Sequence, residues 1–307
     1  MTHRFNALVL SLLIIFGLPA WWLLFDNSVD PLPPRRLDIV QLRELAQSLP
    51  GNAPHAVEVE QIASQSVPQT LFAAGSGLKL LDISAMAFRL PVKDGRPIVI
   101  DSGLLQTQAD AQGFSHYSFA AQARVNAVMA DAGLVLVTHE HVDHLGGLVA
   151  LAQRSAVLER TLLNRRQIDN SRVPDAAAWP AGLHPVAKLG DGEPQAVAPG
   201  VVVIPAPHSH TPGSQMIFVR LADGREYLFT GDISPLTANW QQLRLRSRLL
   251  SEHVSPSNRV EVHAWLQAIR QMKQAAPDLV IVPGHDLLPL TMFDRRPLSE
   301  RGFNGAR

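Results

Sequence analysis

Thr138-His139-Glu140-His141-Val142-Asp143-His144 is the stretch that decides how this chain reads. Four potential metal ligands, His139, His141, Asp143 and His144, fall within six residues, directly after the apolar run Leu134 to Val137. A short apolar run of this kind reads as a buried strand, and loops at strand ends hold functional groups on a rigid scaffold. His139 and His141, at i and i+2 on extended backbone, point the same way and can clasp one ion. Asp143 and His144 follow at once and can turn to a second. Neutral imidazole and carboxylate suit zinc and similar divalent ions. A chance cluster of surface histidines would account for one His-x-His pair. It does not account for the full string followed by Gly146-Gly147.

Composition limits the chemistry around this string. With 307 residues there is room for one large domain and an appendage, and 46% apolar residues support a sizeable core. Acidic and basic residues balance at 27 each, so no overall charge draws the chain to nucleic acid. Cysteine is absent, which excludes disulfides, thiolate ligands and a cysteine nucleophile. Any metal must therefore be held by imidazole and carboxylate.

Ala7 to Phe25 is uncharged and almost wholly apolar. At roughly 1.5 Å per residue a helix of this length spans most of a ~30 Å hydrocarbon layer. Trp21 and Trp22 stand near its far end, where aromatic rings favour the headgroup zone. The free amine and Arg4 precede it, and Asp26 and Asp30 follow. This is the reading of an uncleaved anchor with the bulk of the chain outside the cytoplasm, although Arg35, Arg36 and Arg43 also follow. A cleaved signal peptide and a buried core helix are the alternatives. Leu18-Pro19-Ala20 is a poor cleavage site.

The rest of the chain divides into a linker and short helix over 27–54, a domain over 55–295 and a tail over 296–307. Pro31, Pro33 and Pro34 stiffen the linker, and Leu37 to Leu49 has the spacing of an amphipathic helix ended by Pro50-Gly51. Val57 and Val59 alternate with Glu58 and Glu60 as on a half-buried strand. Leu80 to Leu90 and Pro97 to Ile100 are further strands, with a turn at Asp94-Gly95. Tyr117 to Ala130 and Asn258 to Ala275 have helical spacing. Val201 to Ile204, Met216 to Leu221, Tyr227 to Phe229 and Leu279 to Val282 are the later strands.

The histidine string resembles the signature of the metallo-β-lactamase superfamily, and the remaining family motifs appear in order. Asp101 stands in Val99-Ile100-Asp101-Ser102-Gly103 and His210 in Ser209-His210-Thr211-Pro212-Gly213-Ser214. Asp232 stands in Phe229-Thr230-Gly231-Asp232 and His285 in Val282-Pro283-Gly284-His285-Asp286. The resemblance covers about residues 55 to 290. It implies an α+β fold, a four-layer αββα sandwich, here with an N-terminal transmembrane helix. It also implies two divalent ions, zinc first, with manganese or iron as alternatives. Site one would be His139, His141 and His210; site two would be Asp143, His144 and His285; Asp232 would bridge them, and Asp101 would orient a ligand from behind. Asp143 and Asp232 are the carboxylates assigned to catalysis, beside a metal-bridging hydroxide.

Zinc β-lactamases of this superfamily usually lack the bridging aspartate. The full ligand set is more similar to glyoxalase II and to lactonases, which implies cleavage of an ester, lactone or thioester in a small-molecule substrate. Phosphodiester hydrolysis, as in the transfer-RNA-processing nucleases of the superfamily, is the second reading. The balanced charge speaks against a nucleic-acid partner. A non-catalytic metal-binding protein on the membrane is the third.

Other residues carry weaker readings. His208 competes with His210, and the Thr-Pro-Gly-Ser context favours His210. Phe114, His116 and Tyr117 are candidates for the mouth of the site or for ordinary loop. Arg244, Arg246 and Arg248 alternate between leucines; they could steer an anionic substrate or meet lipid headgroups, and a solvated face is the better reading. Trp179 and Trp240 are pocket walls or plain packing. His55, His184, His253 and His263 carry no expected chemistry.

Overall fold

The computed structural model describes residues 2–153, 156–170, 172–291 and 302–303. One sheet contains β1 (Glu58–Pro68), β2 (Leu80–Leu90), β3 (Ile98–Ile100), β4 (His116–Tyr117), β5 (Leu134–Leu136), β6 (Thr161–Asn164) and β7 (Ala187–Leu189), in the order β4-β1-β2-β3-β5-β6-β7. The other contains β8 (Gln195–Ala198), β9 (Val201–Pro205), β10 (Gln215–Arg220), β11 (Glu226–Gly231) and β12 (Val280–Pro283), in the order β12-β11-β10-β9-β8. The α-helices among the described residues are α1 (Thr2–Leu12), α2 (Leu18–Leu24), α3 (Ile39–Ala46), α4 (Gln69–Phe72), α5 (Gln106–Ala111), α6 (Phe119–Asp131), α7 (Val142–Ala152), α8 (Arg165–Ile168), α9 (Thr237–Gln242), α10 (Arg259–Ala275) and α11 (Leu288–Thr291).

Three apolar layers show why these elements stack as they do. Between the sheets, Phe88, Ile100 and Leu136 meet Val203, Ile217 and Phe229. Outside the first sheet, Val99 and Val135 pack on Val125 and Met129 of α6 and on Leu145 and Leu148 of α7. Outside the second, Val202, Ile204 and Phe218 pack on Leu42 of α3 and on Trp265, Leu266 and Ile269 of α10. Alternate residues of one strand thus enter different layers, and a strand buried on both faces reads as an unbroken apolar run, as at Val201 to Ile204. Helix, sheet, sheet, helix is the αββα sandwich.

The same order collects strand ends at one edge. β3 and β5 run parallel, with Ile100 opposite Leu136, so Asp101 and Thr138 emerge side by side. β11 and β12 also run parallel, with Phe229 opposite Val282. β9 has the same direction, because β10 pairs antiparallel with both β9 and β11. The loops that carry His210, Asp232 and His285 therefore leave the second sheet at one edge.

Several elements differ from their sequence reading. The first strand runs on to Pro68, because it pairs along its length with β2. The helix read from Tyr117 starts at Phe119, since Tyr117 pairs with Ala63 and the Ser118 side chain caps the helix by accepting from Ala121 N at 3.2 Å. Phe5–Leu24 is one apolar helical stretch of 20 residues with a π-helical turn at Leu13–Gly17, and none of it is buried. That overturns the core-helix alternative. By length and composition it is a candidate membrane span. Residues 292–295 and most of the tail lie outside the described residues; Phe303 is buried in the cluster that holds Ile62.

Candidate metal centre

The residues of the histidine string fall on the strand end and helix start that follow β5. His141 stands immediately before α7, and Asp143 and His144 lie in that helix's first turn. Asp101 ends β3 with φ 59°, a left-handed conformation that costs an aspartate backbone energy. Its carboxylate repays the strain locally. Oδ1 accepts from Thr138 N at 2.7 Å, and Oδ2 accepts from His144 Nδ1 at 2.8 Å.

Seven donors converge in two adjacent groups: His139, His141, His210 and Asp232 in one, Asp143, His144 and His285 in the other. Within each group the ligand atoms lie within 4.8 Å of one another, and all seven residues are buried. His141 Nδ1 stands 3.0 Å from both His139 Nε2 and His210 Nε2. His285 is fixed from behind, its Nδ1 donating to Ser84 O at 2.9 Å. His144 Nε2, His210 Nδ1 and Asp232 Oδ1 are buried without a hydrogen-bond partner. Buried polar atoms ordinarily find partners, and His144 Nε2 and Asp232 Oδ1, which face each other at 3.6 Å, fit a cation. Imidazole and carboxylate are the donors that zinc and related divalent ions take, so the residues present fit the implied metals.

The electrostatics divide the histidines. Burial holds His139 and His210 well below the usual histidine range and brings His141 to about 4, so these rings are neutral, the form that binds metal. Burial also pulls on His144, but Asp143, Asp101 and Asp232 outweigh it and raise that ring to about 10. His285 is raised in the same way by Asp232 and Asp143. The carboxylates around these two rings favour positive charge at this end of the site.

Residues with weaker sequence readings are placed plainly. His210 joins the cluster, whereas His208 is exposed with φ 57°. Phe114 is buried in the core, Tyr117 donates its hydroxyl to Leu104 O at 3.0 Å, and His116 is exposed. Trp179 donates to Gln167 O at 3.2 Å and Trp240 lies in the core, so both are packing residues. His55, His184 and His253 are exposed.

The arginines correct the solvated-face reading. Arg246 is buried, donates to Ser255 O at 2.8 Å and lines a small cavity together with Asp232. Burial lowers it to about 10, against the attraction of Asp232. Arg244 donates to Ala74 O at 2.6 Å, and Arg248 to Asp26 at 2.8 Å and to Glu252. The alternation with leucines was genuine, but the segment folds inward against α4 and the start of the linker rather than facing water.

Glu140 supports the cluster and is a residue that motif reading passes over. It is fully buried, where desolvation raises its pKa, and it accepts from Thr211 Oγ1 at 2.8 Å and Gly213 N at 2.9 Å. It thereby holds the turn that carries His210. Gln167 and Gln215 both donate to Val137 O, at 2.9 and 2.7 Å, and fix the strand end before the string. A carboxylate placed between two histidines of the string, directly after a buried strand, is the signal the sequence offers for Glu140.

The sequence model of the metallo-beta-lactamase superfamily matches residues 81–285. No curated protein matches the chain. Solved structures that resemble it include an N-acyl homoserine lactone hydrolase with the product N-hexanoyl-L-homoserine at its catalytic metal centre. That likeness has TM-score 0.62 and 16% identity, over 82% of this chain and 98% of that one. A quorum-quenching N-acyl homoserine lactone lactonase has TM-score 0.61 and 16% identity, over 83% and 99%. A probable metal-dependent hydrolase from Staphylococcus aureus has TM-score 0.55 and 14% identity, over 78% and 91%. At such identities the likenesses speak for the fold, while the family match and the convergent histidines and carboxylates speak for the chemistry. The chain belongs to the metallo-beta-lactamase superfamily and is a metal-dependent hydrolase.

Proposed function

We propose that the protein hydrolyses a carboxylic ester, lactone or thioester at a dinuclear centre, with zinc as the first candidate metal. His139, His141 and His210 would hold one ion, Asp143, His144 and His285 the other, and Asp232 would bridge the two. The observation that carries this reading is the placement of the Asp232 carboxylate. Its Oδ2 lies 2.9 Å from His285 Nε2 and 3.6 Å from His210 Nε2, and its Oδ1 lies 3.6 Å from His144 Nε2. One carboxylate thus faces both groups.

When bound by these residues, two divalent cations would supply an acidified water and polarisation of a carbonyl. The chain's own groups keep the donors aimed. Asp101 accepts from His144 Nδ1 and the Ser84 carbonyl accepts from His285 Nδ1, so each ring presents Nε2 inward. Glu140 holds the His210 turn. The fold likeness to N-acyl homoserine lactone hydrolases supports a carbonyl substrate, as does the balanced overall charge.

Arg246 favours a second reading. A buried guanidinium beside Asp232 could meet an anionic phosphodiester. The deciding experiment is turnover of an aryl ester, a γ-lactone and a bis-aryl phosphodiester by the full-length, metal-reconstituted protein. A kcat/KM that is higher for the ester or lactone supports the carbonyl reading; one higher for the phosphodiester reverses it.

The location that fits the apolar rod Phe5–Leu24 is a single-pass anchor with the hydrolase domain outside the cytoplasm.

A further inference from the structure

A buried guanidinium ordinarily meets a carboxylate, because an unpaired charge away from water is costly. Two arginines of this region obey that rule. Arg248 pairs with Asp26 at 2.8 Å, and Arg259 lies 3.6 Å from Glu252. Arg246 does not. It is buried, donates from Nη2 to Ser255 O at 2.8 Å and, among the described residues, forms no ion pair. With its pKa at about 10 it still carries its charge at neutral pH. Arg259 adds to the excess: its Nη1 donates to the Arg246 carbonyl at 2.6 Å, and the two charges repel.

This charge belongs to the metal centre by position. Arg246 and Asp232 line one cavity, together with Ser251, Ser257 and Arg259. The guanidinium is drawn by Asp232 and Asp143 and presses on His141 and His210, so both groups of donors feel it. Asp232 turns its carboxylate to the histidines instead, with Oδ2 2.9 Å from His285 Nε2. Backbone bonds on either side of Arg246 fix where it stands. Leu245 N donates to Asn27 Oδ1 at 2.7 Å, and Ser247 N donates to Leu71 O at 2.9 Å. A cation held in place with donors to spare is prepared for an anion that arrives with a ligand.

The size of the cavity selects the anion. It measures about 10 Å³, room for one water-sized atom. A single carboxylate oxygen matches that space. A tetrahedral phosphoryl group, with oxygens on every side, does not.

We propose that the substrate is an ester, lactone or thioester whose acyl part bears a free carboxylate, and that Arg246 is the residue that selects it. One carboxylate oxygen enters the cavity beside Asp232, and the scissile carbonyl lies over the donors that Asp232 joins. The carboxylate takes no part in the bond changes. In hydrolysis the bond from the acyl carbon to the leaving oxygen or sulfur breaks, a water oxygen joins the acyl carbon, and the water's proton goes to the leaving group. This inference rests on the carbonyl-hydrolase reading and deepens it by naming the substrate class.

The test uses the full-length, zinc-loaded protein and two matched pairs of substrates. These are the nitrophenyl monoesters of glutaric and adipic acid, and the same compounds with the second carboxyl methylated. In the wild-type protein at least one acid is expected to exceed its methyl ester about tenfold in kcat/KM, chiefly through KM. Arg246→Gln should bring that ratio to within about twofold, and Arg246→Lys should keep part of it, having the charge without the planar fork. A second readout is independent of turnover: calorimetric binding of glutarate should weaken about tenfold in Arg246→Gln, both proteins being brought to the same zinc content. Equal kcat/KM for acid and methyl ester in the wild-type protein overturns the proposal without any variant. A preference for the acid that survives Arg246→Gln overturns it too, since the carboxylate would then sit elsewhere. No turnover of any of these esters sinks the carbonyl reading itself, and the proposal with it.

Discussion

Asp101 Oδ2 and His144 Nδ1 form a hydrogen bond of 2.8 Å across 43 residues of sequence. The bond fixes the tautomer of His144 and turns its Nε2 toward Asp143 and Asp232, 3.7 and 3.6 Å away. Asp101 holds this position from a left-handed backbone conformation, which asparagine tolerates as well as aspartate does. Asp101→Asn should therefore keep the fold and weaken metal binding by roughly 10- to 100-fold. Chelator competition on the purified protein measures this; affinity within twofold of wild type would remove Asp101 from the role.

Metal stoichiometry tests the bridging role of Asp232. Elemental analysis of reconstituted protein should give close to two divalent ions per chain, and Asp232→Ala should lower that count. A clean single ion in the wild-type protein would refute the dinuclear assignment.

Gly284 leaves room for the same carboxylate. A Cβ at this position would collide with Asp232 Oδ1 and with the Gly231 backbone. Gly284→Ala should cost about 1–3 kcal/mol through overpacking. It should also lower metal content while far-ultraviolet circular dichroism stays native. Full metal occupancy in this variant would show that Asp232 can move without consequence.

Arg246 separates the two hydrolase readings. If the substrate is a carbonyl compound, Arg246→Gln should leave ester kcat/KM within about tenfold, a barrier change of about 1.4 kcal/mol. If a phosphodiester is the better substrate and the same change abolishes its cleavage, Arg246 belongs to the substrate site and the carbonyl reading fails. Changing Arg248 at the same time would confuse the result, because Arg248 holds Asp26 and Ser28.

A reporter enzyme fused after Arg307 tests the location. Activity confined to the outside of the cytoplasm is the expected result. Cytoplasmic reporter activity would reverse the orientation, and a mature N-terminus beyond Ala20 would replace the anchor by a cleaved signal.

The seven residues that converge were legible in the sequence, because metal chemistry needs particular side chains and these sit in short local strings at strand ends. The same is true of the sandwich: the unbroken apolar run Val201 to Ile204 and the helical spacing of Val262, Trp265, Leu266 and Ile269 report burial without any knowledge of partners. Apart from Asp101, what supports and orients the donors was not legible. Ser84 holds His285 from 201 residues away, and Glu140 holds Gly213 from 73. Arg248, separated from Asp26 by 222 residues, converts the first residues of an apparent linker into a docked segment. Arg246 sits in a pattern that alternates with leucine and predicts a wet face, yet the chain folds it inward beside Asp232. Local composition and periodicity record how a segment divides its surface between water and core. Which distant group meets it there is settled only when the two sheets close on each other, because those contacts exist in no stretch of sequence short enough to carry a pattern.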